Sequence, residues 1–176
     1  MGKGILVSAG HSTVPPKDSG AVGNGFVEAQ EALKLRDAVA KILADKKVEV
    51  VTDGKDGESH PLNKAIILAR SARVAVEIHF NAGGKGATGI EVLAKAHNKP
   101  LAQKLAGAIE QATKLKLRGD KGYKADNSGQ HHRLGFCEAG GLIIEVCFIS
   151  NLDDMTTYQA NFPTIALNLA NVLSGA

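Results

Sequence analysis

The sequence predicts one α/β domain, a twisted and mostly parallel sheet flanked by helices on both faces. Three observations support this class. The chain has 176 residues, which suits one domain with its own core. Short apolar runs typical of buried strands alternate along the chain with longer segments of helical periodicity. Hydrophobic residues make up 44 % of the chain and charged residues 22 %, as in ordinary globular proteins.

The individual elements follow from the two periodicities. Short apolar runs that end in polar or glycine-rich loops predict strands at Ile5–Val7, Val48–Val51, Val74–His79, Gly89–Leu93 and Leu142–Cys147. Apolar residues that recur every three or four positions predict helices at Phe26–Lys46, Pro61–Ser71, Pro100–Leu117, Asn151–Tyr158 and Pro163–Leu173. Because the two kinds of element alternate, the functional site is expected at the carboxyl ends of parallel strands.

Composition and charge argue against several function classes. A net charge of +3 is too small for a dedicated nucleic-acid binder, although it suits a protein that works near an anionic polymer. Trp is absent and aromatic residues make up 4 % of the chain, which disfavours stacking platforms for bases. No apolar stretch approaches the roughly 18 residues of a membrane span, so no stable membrane association is expected. The first residues do not form a signal peptide.

Three predicted strands lead to a residue that can bind a metal or transfer a proton. His11 follows the first strand, His79 ends the third, and Glu145 follows the apolar run Leu142–Ile144. Because the carboxyl ends of parallel strands meet at one edge of a sheet, these side chains should lie close together. Any one of them could simply face solvent, but that explanation is weaker for three together.

The first predicted helix adds a fourth candidate. Glu28 begins a stripe whose other members are apolar, namely Ala32, Leu35, Val39 and Ile42. A carboxylate that faces a core needs a partner such as a metal ion, although an acid is also favoured at any helix N-terminus. Glu31 lies on another face and is expected to be solvated. Asp53 and Glu91 could lie behind the site but are expected to be surface charges at strand ends.

Two histidines and one glutamate match a catalytic zinc site with an open fourth position. Zinc lowers the pKa of its bound water to about 7, and Glu145 could take the proton and pass it to a leaving amine. The His-Glu-x-x-His helix of one class of metalloproteases is missing. Cys137 and Cys147 suggest a thiol mechanism as an alternative, but Cys147 falls inside an apolar strand and is more typical of a small core residue.

Four motifs resemble, in order, those of the zinc-dependent N-acetylmuramoyl-L-alanine amidases of phage endolysins and bacterial autolysins, the amidase-3 family. They are Ser8-Ala9-Gly10-His11, Asp18–Gly23 with Gly25–Glu28, Glu77–Ala82, and Ile144–Asn151. The resemblance covers nearly the whole chain. Four residues depart from the family's pattern: Ser8-Ala9 replaces Asp-Pro, Glu77 replaces Ser on the strand face of His79, and Cys147 replaces Gly.

The resemblance implies an enzyme that cleaves the amide between N-acetylmuramic acid and L-alanine of the peptidoglycan stem peptide. The family's metal ligands, for one Zn²⁺ per chain, correspond to His11, Glu28 and His79. The catalytic base corresponds to Glu145, and candidate substrate contacts are Asn81, His132 and Arg133.

The same reasoning predicts the context in which the protein works. Residues 1–176 would form one zinc amidase catalytic domain without a separate cell-wall-binding domain, and a monomer is expected. A phage lysin made in the host cytoplasm and released through a holin is favoured, although the catalytic domain of a bacterial enzyme would look the same. Two alternatives stay open: another zinc hydrolase, such as a carboxypeptidase or a sugar deacetylase, and a peptidoglycan-binding module with an inactive site.

Overall fold

The computed structural model describes residues 4–128 and 134–176. The strands of this part of the chain are β1 (Ile5–Ala9), β2 (Val22–Gly23), β3 (Phe26–Val27), β4 (Val50–Thr52), β5 (Val74–Asn81), β6 (Glu91–Ala94), β7 (Tyr123–Ala125) and β8 (Leu142–Phe148). The helices are α1 (Glu28–Asp45), α2 (Leu62–Ala69), α3 (Lys99–Thr113), α4 (Gly135–Glu138) and α5 (Leu152–Ser174), with a 3-10 turn at Ala96–Asn98.

The predicted mostly parallel sheet is confirmed. Its six strands lie in the order β4-β1-β5-β8-β6-β7, and β2 pairs with β3 in a separate hairpin. Neighbouring strands are parallel except for β6 and β8, which are antiparallel. The two central strands, β5 and β8, therefore lie side by side, and both carry candidate site residues.

Helices cover both faces of the sheet, as predicted. On one face α1, α3 and α5 pack against the strands and enclose the main core, a large cluster of buried apolar residues. On the other face α2 and α4 cover a smaller cluster that includes Leu6, Ala75 and Ile143, here called the minor core. Successive side chains of a strand point to opposite faces. Ile78 of β5 therefore joins the main core while Glu77 and His79 face the other side.

The C-terminal region differs from the prediction. The two expected helices are one continuous helix, α5, which runs through Pro163. Proline within a helix costs about 3 kcal/mol because it removes a hydrogen bond and crowds the preceding turn. Tyr158, Ile165, Leu169 and Leu173 are buried against the main core, and burying such side chains contributes about 1.5–3 kcal/mol each. The continuous apolar face therefore outweighs the local cost of the proline.

Other boundaries moved for local reasons. The first predicted helix begins at Glu28 rather than Phe26, because Phe26 and Val27 pair with β2. The helix predicted to reach Leu117 ends at Thr113, where Lys114 adopts a left-handed conformation. Across residues 4–128 and 134–176, none of the helices combines the length and the apolar character needed to cross a bilayer.

Candidate active site

The three predicted metal ligands meet at the carboxyl ends of β1 and β5. Glu28 lies between the two imidazoles: its Oε2 is 3.0 Å from Nε2 of His11, and its Oε1 is 3.0 Å from Nδ1 of His79. The two rings are edge to face, with centroids 5.1 Å apart. One potential ligand atom from each residue lies within 4.8 Å of the others, so a single ion could contact all three. We call these residues the ligand cluster.

Two glycines allow the ligand cluster to form. Gly10 follows β1, and a Cβ at this position would collide with the ring of His79. Gly20 has φ +64°, and a Cβ there would lie 2.5 Å from the His11 ring and 2.6 Å from Oε2 of Glu28. Only glycine leaves space for the rings at these two positions, and at Gly20 it also adopts the left-handed conformation without strain.

The carboxylate of Glu28 is prepared to act as an anionic ligand. The backbone N–H groups of Ala21 and Phe80 donate hydrogen bonds to it, at 2.9 and 3.0 Å. Burial raises the pKa of Glu28, but hydrogen bonds from His11 and His79 outweigh this effect and hold the pKa well below its ordinary range. The expectation that Glu28 faces the interior is confirmed, since Glu28 is only 4 % exposed.

A second carboxylate lies behind each imidazole. Nδ1 of His11 is 2.8 Å from Oδ2 of Asp18, and Nε2 of His79 is 3.0 Å from Oε1 of Glu77. Carboxylates in such positions fix the orientation of a metal-binding histidine and increase its basicity. Asp18 was missed as a functional residue by the sequence reasoning. Its contact with His11 depends on how the loop folds back so that Ser12 and Asp18 form a bridge, which sequence reasoning did not foresee.

These carboxylates also control the protonation of the two histidines. Burial lowers the pKa of both imidazoles, and the hydrogen bonds that they donate to Glu28 and to the second carboxylates raise it by more. The result is a raised pKa for His11 and a pKa for His79 well above its ordinary value. Because metal ions bind neutral imidazole, a bound cation would replace these protons.

Glu145 lies beside the ligand cluster, but within a strand rather than at its end. The expectation of a strand end was wrong, because β8 continues to Phe148. Glu145 pairs in register with His79 on β5 and with Glu91 on β6. Burial raises the pKa of Glu145 to about 7, and its Oε2 is buried without a hydrogen-bond partner among the described residues. A carboxyl group with this pKa can accept and return a proton near neutrality.

Glu91 is buried, so the expectation of a surface charge was wrong. Its carboxylate is 2.5 Å from Nε of Arg118, 2.7 Å from Nζ of Lys124 and 2.8 Å from Nδ2 of Asn81. Burial raises the pKa of Glu91, and hydrogen bonds from Lys124 and Arg118 outweigh it, so the pKa lies below its ordinary value. Two cations from the segment after α3 thus stabilise a buried anion on β6, the strand next to the sheet edge. The sequence reasoning did not single out either cation.

Asp53 was also wrongly expected at the surface. It is fully buried and accepts hydrogen bonds from Arg36, at 3.0 Å, and from the backbone N–H of Ala9, at 3.1 Å. Arg36 is itself fully buried and donates further hydrogen bonds to the loop after β4. Because Ala9 ends β1 two residues before His11, this buried pair also holds the strand end that leads to His11.

Glu31 on α1 is buried as well, contrary to the solvated face expected for it. Its carboxylate accepts hydrogen bonds from Lys34, at 2.7 Å, and from Gln159, at 3.0 Å. Gln159 belongs to α5, which packs along α1 and covers this face of the helix. The packing of two helices far apart in sequence therefore decides the burial of Glu31.

Three adjoining cavities run along this edge of the sheet. The central cavity, about 270 Å³, is lined by the ligand cluster, Glu145 and Asn81. The apolar cavity, about 380 Å³, lies next to His11 and is lined mainly by prolines, Leu62, Phe136 and other apolar side chains. The cationic cavity, about 510 Å³, is lined by Arg118, Lys124 and Glu91 among others. Asn81 lines both the central and the cationic cavity.

The remaining predicted residues have different outcomes. Asn81 ends β5 beside the central cavity, where its role as a substrate contact stays a prediction. His132 and Arg133 lie outside the described residues. Cys137 and Cys147 are both buried, and burial raises the pKa of Cys137 to about 12 and that of Cys147 well above its ordinary value. Neither thiol is therefore activated as a nucleophile.

Known proteins resemble this chain in sequence and in fold. The family model described as N-acetylmuramoyl-L-alanine amidase matches residues 5–172. YqiI of Bacillus subtilis strain 168, an uncharacterized protein, is 27 % identical over 158 residues, which are 87 % of this chain and 73 % of YqiI.

Two solved structures share the fold over almost the whole chain. A candidate N-acetylmuramoyl-L-alanine amidase from Neisseria meningitidis is 39 % identical, with a TM-score of 0.88, and the match covers 98 % of this chain and 94 % of that one. The catalytic domain of CwlV, an N-acetylmuramoyl-L-alanine amidase from Bacillus (Paenibacillus) polymyxa, is 26 % identical, with a TM-score of 0.81, covering 98 % and 97 %. The chain therefore belongs to the N-acetylmuramoyl-L-alanine amidase family, whose members are peptidoglycan amidases.

Proposed function

We propose that this protein is a zinc-dependent amidase that cleaves the bond between N-acetylmuramic acid and L-alanine of the stem peptide. The observation that carries the proposal is the position of Glu28 between two imidazoles, with Glu145 in register beside one of them. A metal site and a proton-transferring carboxyl group at neighbouring positions are what metal-dependent hydrolysis of an amide requires.

The residues of the ligand cluster suit zinc. Two imidazole nitrogens and one carboxylate oxygen form a donor set typical of catalytic zinc sites, which keep one position open. The low pKa of Glu28 and the space left by Gly10 and Gly20 fit a cation held at the centre of the cluster. When bound, zinc supplies Lewis acidity, which polarises an amide carbonyl and lowers the pKa of water to about 7.

Glu145 is proposed to move the proton. In its ionised form it accepts a proton from the attacking water, and it then delivers that proton to the nitrogen of the leaving amine. Its burial supports this role, because burial favours the protonated carboxyl group that delivers the proton and raises the pKa of Glu145 to about 7 in the metal-free chain. Asn81 is proposed to contact the substrate from the wall of the central cavity, and His132 and Arg133 remain proposed contacts from sequence.

End-group analysis of purified peptidoglycan tests the scissile bond. Incubation with the zinc-supplied protein should release new amino groups on L-alanine and no new reducing ends of sugars. New amino groups on another residue would point to an endopeptidase, and release of acetate would point to a deacetylase. No product at all would favour the peptidoglycan-binding module and overturn the proposal.

Two variants test the assigned roles. Glu145→Gln should retain stoichiometric zinc and lose turnover by about 10²–10⁴-fold, the usual contribution of a general acid or base. His79→Ala should instead lose zinc. Wild-type turnover in the first variant, or stoichiometric zinc in the second, would exclude the proposed role of that residue. Metal analysis of both proteins, together with the product assay, separates the two roles.

The lytic role is a further part of the proposal. We propose a phage-type lysin in which residues 1–176 act as one monomeric catalytic domain on the wall. The net charge of +3 supports attraction to an anionic wall, which salt would screen. Lysis of permeabilised cells should therefore weaken as salt increases, and sedimentation should give the monomer mass. A salt-independent rate would contradict electrostatic attraction to the wall.

A further inference from the structure

The cationic cavity adjoins the proposed reaction centre but has no part in the mechanism described above. Its charged lining residues, among those the structure describes, are Glu91, Arg118 and Lys124. Glu91 neutralises one of the two cations, so one positive charge remains for a ligand. Asn81 and Ser128 add polar groups to the same wall. The cavity therefore has the composition of a site for a single anionic group.

Glu91 holds the two cations in place at the bottom of this cavity. Glu91 is only 4 % exposed, and its Oε2 lies 2.5 Å from Nε of Arg118 and 2.7 Å from Nζ of Lys124. The side chains of Arg118 and Lys124 are each 30 % exposed, so both still reach the solvent in the cavity. A buried anion that holds two partly exposed cations keeps their positions fixed before any ligand arrives.

Arg118 is oriented by three different contacts. Besides the ion pair with Glu91, its Nη1 donates to the carbonyl oxygen of Thr88 at 3.3 Å, and its guanidinium carbon lies 4.8 Å from the ring centroid of Phe148. Within residues 4–128 and 134–176, Nη2 has no hydrogen-bond partner. A guanidinium fixed in this way is well suited to bind a carboxylate, because its planar donors match the carboxylate geometry.

The strand order places this cavity on one particular side of the reaction centre. His79, Glu145 and Glu91 are register neighbours on β5, β8 and β6. Because neighbouring strands lie about 4.8 Å apart, Glu91 is one strand spacing from Glu145 and two from His79. The metal-binding residues therefore lie on one side of Glu145 and the cationic cavity on the other.

The proposed chemistry determines which half of the substrate lies over the cationic cavity. Glu145 delivers a proton to the amine nitrogen of the leaving peptide, which places that nitrogen near Glu145. A peptide that continues in the same direction, away from the metal ligands, runs toward Glu91. An extended peptide advances about 3.3–3.6 Å per residue. The residue that follows L-alanine therefore reaches the two cations.

We infer that Arg118 and Lys124 bind a carboxylate on the second residue of the stem peptide and make the enzyme selective for acidic over amidated peptides. The inference rests on the proposed function, because it uses the proton transfer assigned to Glu145. It adds a specificity site on the leaving-group side of the scissile amide. The ligand is defined by its chemistry, a peptide carboxylate within one residue of the new amino terminus.

The test compares two soluble substrates and three variants. One substrate is an N-acetylmuramoyl dipeptide of alanine and glutamate with free carboxylates, and the other is the same dipeptide with both carboxyls converted to amides. The zinc-loaded wild-type protein should prefer the acidic substrate by about tenfold or more in kcat/KM, the scale of one charge-assisted hydrogen bond. Arg118→Met and Lys124→Met should each lose most of this preference.

Lys41→Met is the matched control. Lys41 also pairs with a carboxylate and carries one positive charge, but it lies on exposed α1 surface away from the three cavities. This variant should keep the wild-type preference, which separates local binding from the net charge of the protein. The Arg118→Met substitution would leave the buried Glu91 with only Lys124 as its cation. If that variant does not fold, Lys124→Met keeps the test valid.

The outcomes separate the inference from the proposed function. Cleavage of both dipeptides at equal rates by the wild-type protein would overturn the inference and leave the proposed function intact. A preference that survives in Lys124→Met and Arg118→Met would also overturn it. Cleavage of neither dipeptide would contradict the proposed function, and the inference with it.

Discussion

The two faces of the sheet differ in what they bury. The face under α1, α3 and α5 buries apolar side chains from every central strand. The face under α2 and α4 has only the minor core, and the same strands there present Glu77, His79, Glu145 and Glu91. We therefore expect the main core to contribute most of the stability. The other face instead holds the charged groups of the candidate active site.

Charged groups on the second face are tolerated because almost all of them are paired. Glu77 contacts His79, and Glu91 contacts Arg118 and Lys124. Glu145 is the exception among these acids: its pKa is raised, whereas the pKa of Glu91 is lowered. The group without a cationic partner is the one to which proton transfer is assigned. Predictions that compare matched positions on the two faces can test this division.

The largest difference is expected between two neighbouring isoleucines of β8. Ile144 is 1 % exposed in the main core, and Ile143 is 7 % exposed in the minor core, where it lines the apolar and central cavities. Ile144→Ala should lower the free energy of unfolding by about 4 kcal/mol, because it leaves a cavity in dense packing. Ile143→Ala should cost about 2 kcal/mol, since its neighbourhood already contains open space.

Urea denaturation of both variants measures this difference at constant pH. The two substitutions remove the same atoms from adjacent positions of one strand, so each variant is the control for the other. Equal losses of stability, or a larger loss for Ile143→Ala, would contradict the assignment of stability to the main core.

A second comparison concerns metal affinity. Glu77 is 3 % exposed at its side chain and lies 3.0 Å from Nε2 of His79. Glu77→Gln keeps the shape of the side chain but removes the charge that orients the ring, so zinc affinity should fall by about 10–100-fold. Competition with a zinc chelator of known affinity measures the change. Affinity equal to that of the wild-type protein would show that the carboxylate has no part in metal binding.

The sequence predicted the ligand cluster better than its surroundings. His11, Glu28, His79 and Glu145 each belong to a local pattern, either a polar residue after an apolar run or an acid on an apolar helical stripe. The burial of Glu91, Asp53 and Glu31 depends instead on partners elsewhere in the chain, separated by 27, 17 and 128 positions.

The same distinction explains the errors in the helices and strands. A periodic run predicts that an element exists, and the sheet order then decides where it ends. Judged from the neighbouring residues alone, Pro163 predicts a break in the helix. The helix is continuous because α5 packs against the main core. Local chemistry was therefore predictable, and tertiary pairing of charges was not.

A third comparison uses the two acids next to each other across β8 and β6. The pKa of Glu145 in the folded chain is raised from 4.5 to about 7, so the folded state keeps a proton that the unfolded state has lost over this interval. The contribution of Glu145 to stability is therefore complete below pH 4.5 and is lost as the pH rises to about 7. In metal-free protein, Glu145→Gln should remove this loss and be more stable than wild type at pH 8, by on the order of 2 kcal/mol.

Glu91→Gln is the control, and its sign is opposite. The lowered pKa of Glu91 means that its carboxylate stabilises the fold above its ordinary pKa, and that this contribution is lost as the pH falls through the lower folded value. Glu91→Gln should therefore be less stable than wild type at pH 8. Thermal unfolding of both variants at pH 5 and pH 8 distinguishes the cases. A Glu145→Gln variant that is less stable than wild type at pH 8 would contradict the view that burying the ionised Glu145 lowers the stability of the fold.

The smallest effect is expected at Asp18, the counterpart of Glu77 behind the other histidine. Its side chain is 64 % exposed, although it lies 2.8 Å from Nδ1 of His11, closer than Glu77 is to His79. Water screens an exposed charge and can replace it as a hydrogen-bond acceptor, so Asp18→Asn should lower zinc affinity by less than about tenfold. The same chelator competition compares it directly with Glu77→Gln. A larger loss for Asp18→Asn would mean that burial does not set the strength of these supporting carboxylates, and that the contact distance does.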